Sequence, residues 1–160
     1  MNVKAIIFDW GRTLFDSETK QEFPEAEQVL ELCQQRGFWL AVVSLVSEHS
    51  NANLEERTAQ IEGSPLRRFF EMVAVTDQDK DKALDETVNK LALPREQILI
   101  VDDRTVRGIK YGNLRGHPTV WLQQGKFANE LLNKETKQPT FTIHALAERA
   151  GILGVEYTWC

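Results

Sequence analysis

Acidic and hydroxyl side chains follow several apolar segments of this sequence. Asp9 comes directly after the run VKAIIF, and Ser44 comes directly after FWLAVV. The pair Asp102–Asp103 follows ILIV, and the charged stretch TDQDKDK begins just after MVAV. Two neighbouring carboxylates after a buried strand repel each other, and their burial is costly without a cation. The pattern therefore indicates a site that holds a cation.

The residue types suggest which cation and which ligand this site takes. Oxygen ligands suit Mg²⁺, which binds one or two carboxylates together with water and substrate phosphate. Ser44 and a lysine, either Lys80 or Lys82, would donate hydrogen bonds to phosphoryl oxygens. Lys80 is favoured because it lies four residues before Leu84, on the inward face of a predicted helix. The alternative is that an aspartate of the pair only caps the following helix.

Short apolar runs alternate with helix-period stretches along the chain. Helices are predicted after Pro24, around Leu84 and Val88, around Ile109, and near Leu146. This alternation predicts an α/β fold of three layers, Rossmann-like, with a central parallel sheet of five to six strands covered on both faces. The predicted strands are Val3–Phe8, Phe38–Val43, Met72–Val75, Ile98–Val101, Thr119–Leu122 and, more weakly, Phe141–Ile143.

Length and charge exclude several classes of protein. The chain has 160 residues, with 19 Lys and Arg against 24 Asp and Glu, so its net charge of −5 disfavours a nucleic-acid partner. No apolar stretch approaches the roughly 20 residues that a membrane span needs. We therefore expect a cytoplasmic protein with no membrane partner. A single domain is predicted over residues 1–160, with a core over about 3–150 and a tail over 151–160.

The order of these motifs resembles that of the haloacid dehalogenase-like superfamily of phosphohydrolases. The first motif of that family is Asp-x-Asp-x-Thr after a strand, and this chain has Asp9-Trp10-Gly11-Arg12-Thr13. Ser44 matches the hydroxyl of the second motif, a lysine that opens a helix matches the third, and Asp102–Asp103 matches the acidic fourth. The resemblance extends from about Val3 to Ala150 and implies a member without a cap domain.

The resemblance implies a role for each matching residue. Asp9 would be the nucleophile of a Mg²⁺-dependent phosphohydrolase and would form an aspartyl-phosphate. Ser44 and Lys80 would bind the phosphoryl group. The expected magnesium ligands are Asp9, the carbonyl oxygen of Gly11, Asp102 through a water, and Asp103. The expected substrate contacts are Trp10, Arg12, Thr13 and Lys82.

One position departs from the family pattern. Gly11 stands where the family has a second aspartate, which protonates the leaving group, and such a group contributes ~10²–10⁴-fold in rate. Three explanations remain open. The substrate could have a good leaving group, such as an acyl phosphate or anomeric phosphate, Asp16 could replace the missing acid, or turnover could be lost while phosphate binding persists.

Two functions from different classes follow. The leading one is hydrolysis of a phosphorylated small molecule or phosphoprotein, with closure of the open site by a possible homo-oligomer. The alternative is a catalytically weakened phosphate-binding or protein-interaction module of the same fold. The dehalogenase branch of the family is disfavoured, because it needs a cap and further residues that this sequence does not provide.

Overall fold

The computed structural model describes residues 2–149, in which strands and helices alternate. The strands are β1 (Ala5–Phe8), β2 (Phe15–Asp16), β3 (Gln21–Glu22), β4 (Trp39–Leu45), β5 (Met72–Thr76), β6 (Ile98–Asp102), β7 (Thr119–Leu122) and β8 (Phe141–Ile143). The helices are α1 (Ala26–Gln35), α2 (Leu54–Glu62), α3 (Lys80–Leu91) and α4 (Lys110–Arg115). None of the helices within residues 2–149 has the length and apolar character needed to cross a membrane.

Six of the strands form one parallel sheet in the order β5-β4-β1-β6-β7-β8. The chain fills one side of β1 with β4 and β5, then crosses to the other side and adds β6, β7 and β8. Strand β1 is therefore the point at which the order switches. In open α/β sheets, ligands bind at such a point, beyond the carboxyl ends of the strands. The predicted α/β fold with a parallel sheet is confirmed.

Both faces of the sheet are buried, which explains the continuous apolar runs in the sequence. Successive side chains of a strand point to opposite faces. Ile6 and Phe8 of β1 accordingly pack in one core cluster with Leu30 of α1. Ile7 packs in a second cluster with Leu84 of α3, on the opposite face. The two helical layers thus hold the central strand from both sides and fix where its carboxyl end lies.

Three local features differ from the expectations. The stretch Asp16–Phe23, in which the sequence pattern predicts no helix or strand, contains most of the antiparallel hairpin of β2 and β3. The periodicity did not locate α2, because only Arg57 and Ile61 of this helix are buried. The predicted last helix is a short 3-10 turn, Leu146–Arg149, and the predicted tail over 151–160 lies outside the described residues.

Trp39, in the predicted strand Phe38–Val43, differs in burial from the rest of that apolar run. An apolar run predicts that its ring is buried, yet Trp39 is 54% exposed at the first position of β4. The burial of β4 begins at the next residue, Leu40. A strand end extends past the helical layers that cover its middle, so an apolar run alone does not decide burial there.

Helix α4 packs very closely on the sheet at Gly112. A Cβ atom at Gly112 would lie 2.5 Å from Cγ2 of Thr119 and 3.3 Å from Cγ1 of Ile100. Both neighbours belong to buried strands and have no room to move. We expect Gly112→Ala to lower the free energy of unfolding by about 1–3 kcal/mol, measured by urea denaturation.

The matched control for this substitution is Leu114→Ala, on the same helix. The Leu114 side chain is 48% exposed, so its truncation should change the free energy of unfolding by less than about 0.5 kcal/mol. Equal losses for the Gly112 and Leu114 variants would contradict the close approach of α4 to the sheet.

Candidate functional site

Three aspartates meet at the carboxyl ends of the two central strands. The backbone N–H of Asp9 donates to the carbonyl oxygen of Val101 at 2.9 Å, which continues the pairing of β1 with β6 past the end of β1. Asp102 is the last residue of β6, and Asp103 follows it. One carboxylate oxygen from each of the three aspartates lies within 4.8 Å of the others. The parallel pairing of two strands distant in sequence thus creates an acidic cluster.

Lys80 brings a positive charge into this cluster. It is the first residue of α3, whose N-terminus is capped by the side chain of Asp79. The Lys80 Nζ donates to Asp9 Oδ1 at 2.8 Å and to Asp102 Oδ2 at 2.9 Å, and Lys80 is only 6% exposed. Lys82 is exposed to solvent. Of the two candidate lysines, the structure therefore brings Lys80 to the aspartates.

The two aspartates after Val101 have different surroundings. Asp102 Oδ2 accepts a second hydrogen bond from the backbone N–H of Gly108 at 2.8 Å, and Oδ1 accepts one from Arg104 N–H at 3.0 Å. Asp103 is anchored through its carbonyl oxygen, which accepts from the indole Nε1 of Trp121 at 3.1 Å. Its carboxylate Oδ2 is buried and has no hydrogen-bond partner within residues 2–149. The carboxylate of Asp102 is therefore fixed by hydrogen bonds, whereas Oδ2 of Asp103 is available to bind a ligand.

The charges of the cluster do not balance. Burial raises the pKa of Asp9, and burial together with the charges of Asp9 and Asp102 raises the pKa of Asp103 well above its usual range. Burial is the largest single influence on Asp102 and disfavours its charged form, but the charge of Lys80 and the hydrogen bonds from Lys80, Asp103 and the Arg104 backbone together lower the pKa of Asp102. One ammonium thus faces three carboxyl groups. An oxygen-only donor set with an unpartnered oxygen is what a hard divalent cation binds, so the three aspartates can hold a metal ion.

Cationic side chains form much of the wall of the pocket above the aspartates. Arg104 pairs with Glu130 at 3.0 Å, and its guanidinium carbon lies 3.8 Å from the centre of the Phe127 ring. Arg57 reaches the pocket from α2, and its Nη1 donates to Ser44 Oγ at 2.7 Å. The arginines that line the pocket are Arg12, Arg57, Arg104 and Arg107.

Arg57, like Arg104 and Arg107, is a residue of this wall that the sequence analysis did not identify. It is 4% exposed, and a Cβ atom built on Gly11 would lie 3.4 Å from its Nη1 and 3.5 Å from its Nη2. The guanidinium therefore lies beside the position at which the family motif has its second aspartate. The sequence around Arg57 gives no sign of this role, because α2 has no apolar stripe that defines an inward face.

Two predicted substrate contacts lie in the core instead. Trp10 is fully buried, and its indole Nε1 donates to Gln60 Oε1 at 3.1 Å. Thr13 is also fully buried, and its Oγ1 donates to Asp9 Oδ2 at 3.2 Å. Thr13 thus orients the Asp9 carboxylate, and the Trp10 side chain anchors the first motif in the core. A ligand in the pocket does not reach these side chains.

The other residues predicted around the first motif divide between the pocket and its surroundings. Arg12 lines the pocket beside Asp9 and Gly11, with its backbone in the left-handed region at a φ of 64°. Asp16, considered as a replacement acid, lies in the hairpin, where its Oδ1 accepts from Glu18 N–H at 2.9 Å. Asp16 is not among the described residues that line the pocket of Asp9, and it lies with Arg12 in a neighbouring pocket.

Comparisons with known proteins agree with this fold. Residues 72–149 match the family model described as HAD-hydrolase-like. The fold is similar to that of a HAD phosphatase from Thermococcus onnurineus, with 16% identity and a TM-score of 0.73. The match covers 98% of this chain and 100% of the phosphatase chain. An L-2-haloacid dehalogenase has the same TM-score at 13% identity, over 92% of this chain and 97% of that one.

A third similar structure is a HAD-hydrolase of Bacillus subtilis, YfnB, solved bound to magnesium. It has 22% identity and a TM-score of 0.66, over 84% of this chain and 57% of that one. No curated protein matches the sequence. The fold and the family model together confirm the resemblance to the haloacid dehalogenase-like superfamily.

The central position of Lys80 predicts a large effect of its removal. Lys80→Met leaves Asp9 and Asp102 buried without a cation, and we expect the free energy of unfolding to fall by about 3–5 kcal/mol in the presence of a chelator. Lys82→Met, two residues further along α3, alters an exposed side chain, so it should change the free energy of unfolding by less than about 0.5 kcal/mol. Urea denaturation measures both, and a small loss for Lys80→Met would contradict its bridging position.

The raised pKa of Asp103 predicts how stability varies with pH. The folded state holds the Asp103 proton more tightly than the unfolded chain, so stability is lost as pH rises from the usual carboxyl range through the raised pKa. We expect Asp103→Asn, measured with a chelator, to raise the melting temperature by several degrees at neutral pH. The gain should shrink as the pH is lowered. A gain that is independent of pH would contradict the crowding of the three carboxyl groups.

Proposed function

We propose that this protein is a Mg²⁺-dependent phosphohydrolase that uses Asp9 as its nucleophile. The observation that carries the proposal is the Lys80 ammonium, which holds the Asp9 carboxylate beside the unpartnered oxygen of Asp103. The phosphatase from Thermococcus onnurineus and the magnesium-bound YfnB, which are similar in fold, support the same class of reaction. A phosphorylated small molecule or a phosphoprotein would be the substrate.

The residues present fit a magnesium ion. The carboxylates of Asp9 and Asp103 and the carbonyl oxygen of Gly11 would hold it, and Asp102 would act through a water. The bound ion would neutralise the carboxylates and the charge of the phosphoryl oxygens. Asp102 is suited to the outer position because Lys80, Gly108 and Arg104 already occupy its oxygens.

The chain's own side chains account for transfer of the phosphoryl group. A carboxylate oxygen of Asp9 attacks phosphorus, and the bond from phosphorus to the leaving oxygen breaks. The Lys80 ammonium and the Ser44 hydroxyl donate hydrogen bonds to the phosphoryl oxygens, whose charge is redistributed in the transition state. Ser44 is fully buried next to the pocket-lining Arg57 and is not itself in the lining; its oxygen accepts from Arg57, which leaves its proton to donate.

Hydrolysis of the aspartyl-phosphate is expected to be the slower half of the reaction. A water attacks phosphorus, the bond to the Asp9 oxygen breaks, and the carboxylate is regenerated. Gly11 offers no side chain to accept the proton of that water, and a positioned base is worth ~10²–10⁴-fold in rate. The phosphorylated form of the protein should therefore accumulate during turnover.

The test is phosphate release from a panel of phosphate esters and acyl phosphates, with and without Mg²⁺. We expect release to require Mg²⁺ and Asp9→Asn to lower it by at least roughly 10³-fold, because the amide is no nucleophile. Mass spectrometry should detect a phosphoryl group on the wild type and none on Asp9→Asn. Circular dichroism checks that the variant, which keeps the size of the side chain, is folded.

A specific outcome favours the alternative of a phosphate-binding or protein-interaction module. In that case the wild type and Asp9→Asn are equally silent over the panel, yet calorimetry shows that inorganic phosphate or a phosphate mimic binds with Mg²⁺. Retention of Asp9, Lys80 and Asp103 in one cluster opposes this alternative, since a binding module needs no nucleophile.

A further inference from the structure

Arg57 is a buried cation that forms no ion pair in the described part of the chain, and the charge of Asp9 compensates its burial only in part, so that burial lowers the pKa of Arg57. Its Nη1 is hydrogen-bonded to the neutral hydroxyl of Ser44, and its Nε is buried without any hydrogen-bond partner. No ion pair joins Arg57 to a carboxylate within residues 2–149. A buried guanidinium is costly unless an anion compensates it. Because Arg57 lines the same pocket as Asp9 and Lys80, a ligand in that pocket can supply the anion.

The position of the guanidinium suggests which part of a ligand it meets. Its two terminal nitrogens lie 3.4 and 3.5 Å from the point where Gly11 would carry a Cβ atom. In the family pattern, the side chain at that position acts on the oxygen of the leaving group. The absence of a side chain at Gly11 therefore leaves Arg57 facing the leaving-group side of the phosphoryl site.

Arg57 is also held firmly enough to act at a defined point. Helix α2 begins with a capping box, in which Asn53 and Glu56 bond each other's backbone N–H groups. Gln60, one turn after Arg57, accepts from the buried indole of Trp10 at 3.1 Å, and Ile61 is buried in the core. These contacts fix the helix against the first motif and thus fix the guanidinium relative to Gly11.

We propose that Arg57 stabilises the negative charge that develops on the leaving oxygen, and that the substrates are phosphoryl donors whose leaving group departs as a stable anion, a carboxylate or a phosphate. This inference rests on the phosphohydrolase function proposed above and names the substrate class. Acyl phosphates and phosphoanhydrides belong to this class. Phosphate esters of alkyl alcohols do not.

The balance of protons separates the two kinds of substrate. When Asp9 attacks, the bond between phosphorus and the leaving oxygen breaks, and its electron pair remains on that oxygen. An alkoxide needs a proton to be stable in water, and a guanidinium is too weak an acid to give one. A carboxylate or phosphate leaves without a proton, and hydrogen bonds from Arg57 are sufficient to stabilise its charge.

The rest of the pocket wall suits an anionic leaving group. Arg107 lines the pocket and forms no ion pair in the described part of the chain. The nearest acidic contact of Arg12 is with Glu18, at 3.9 Å and on a largely exposed side chain. These two guanidinium groups are available to the other oxygens of a departing carboxylate or phosphate, which a phenol lacks. A neutral alcohol would leave their charges uncompensated.

The experiment compares leaving groups in the full chain with Mg²⁺. Acetyl phosphate, pyrophosphate and glycerol 2-phosphate are the three arms, and Asp9→Asn corrects for spontaneous hydrolysis. We expect kcat/KM of the wild type to be higher for acetyl phosphate, for pyrophosphate or for both than for glycerol 2-phosphate, by roughly 10²-fold or more. A preference for glycerol 2-phosphate would overturn the inference.

Substituted phenyl phosphates then isolate the role of Arg57. Rapid mixing measures release of the phenol, which reports formation of the aspartyl-phosphate, across leaving groups of increasing basicity. We expect the loss of rate in Arg57→Met to grow as the phenol becomes more basic, from about tenfold to about 10³-fold. Hydrolysis of the aspartyl-phosphate should change little, because the leaving group has by then departed. Arg57→Lys, which keeps a positive charge, should restore part of the loss.

Arg107→Met is the matched control, because it removes the same charge from the same pocket, while the three atoms nearest to a Cβ on Gly11 all belong to Arg57. Arg107→Met should lower the rate of phenol release from every phenyl phosphate by the same factor. A common factor for Arg57→Met as well would assign Arg57 a structural role and overturn the inference, while Asp9-dependent turnover would continue to support the proposed function. Absence of Asp9-dependent turnover on every substrate would overturn both.

Discussion

The ion pairs of one ammonium with two carboxylates organise this structure. Lys80 joins the end of β1, through Asp9, to the end of β6, through Asp102, and it does so from the first turn of α3. Buried charges of one sign are unstable beside each other, so the two central strands can end side by side only because a cation lies between them. The first turn of α3 and the carboxylates of Asp9 and Asp102 are held together by this compensation.

The compensation is incomplete, and the remaining charge defines the chemistry. Asp103 contributes a third carboxyl group to the cluster and has a buried oxygen without a partner. On the wall of the pocket, Arg57 forms no ion pair within residues 2–149, and the charge of Asp9 compensates its burial only in part. Excess negative charge at the bottom and excess positive charge on the wall suit a complex of a divalent cation with an anionic ligand. The cation and the anionic ligand would then compensate each other's charge as well as the charges of the protein.

Much of the fold and the acidic part of the site could be predicted from the sequence. Alternating apolar runs gave the strands, and the rule that ligands bind at the carboxyl ends of parallel strands pointed to Asp9 and Asp102. Lys80 followed from helical periodicity, because Leu84 defines the inward face of α3. These are local patterns, and each is repeated along a regular element.

The cationic wall could not be predicted in the same way. Arg57 lies on a helix with few buried residues, and its place beside Gly11 depends on how α2 packs, which no spacing in the sequence encodes. Trp10 and Thr13 were misplaced for a related reason. The chain turns sharply after Asp9, so that Trp10 accepts backbone hydrogen bonds from Thr13 and Leu14, and the two side chains point into the core. Alternation along a strand does not extend into such a turn.

The pairing of β1 has a consequence for how the molecule folds. Ala5 of β1 is paired with Trp39 of β4 on one side and with Ile98 of β6 on the other. Strand β6 is therefore much further from β1 in the sequence than β4 is. Contacts between distant segments form slowly, since the loop between them must close before they contribute stability. The acidic cluster is assembled only when β6 docks on β1. Fragments that end before β6 can form the β1–β4 pair, but they lack the cluster entirely.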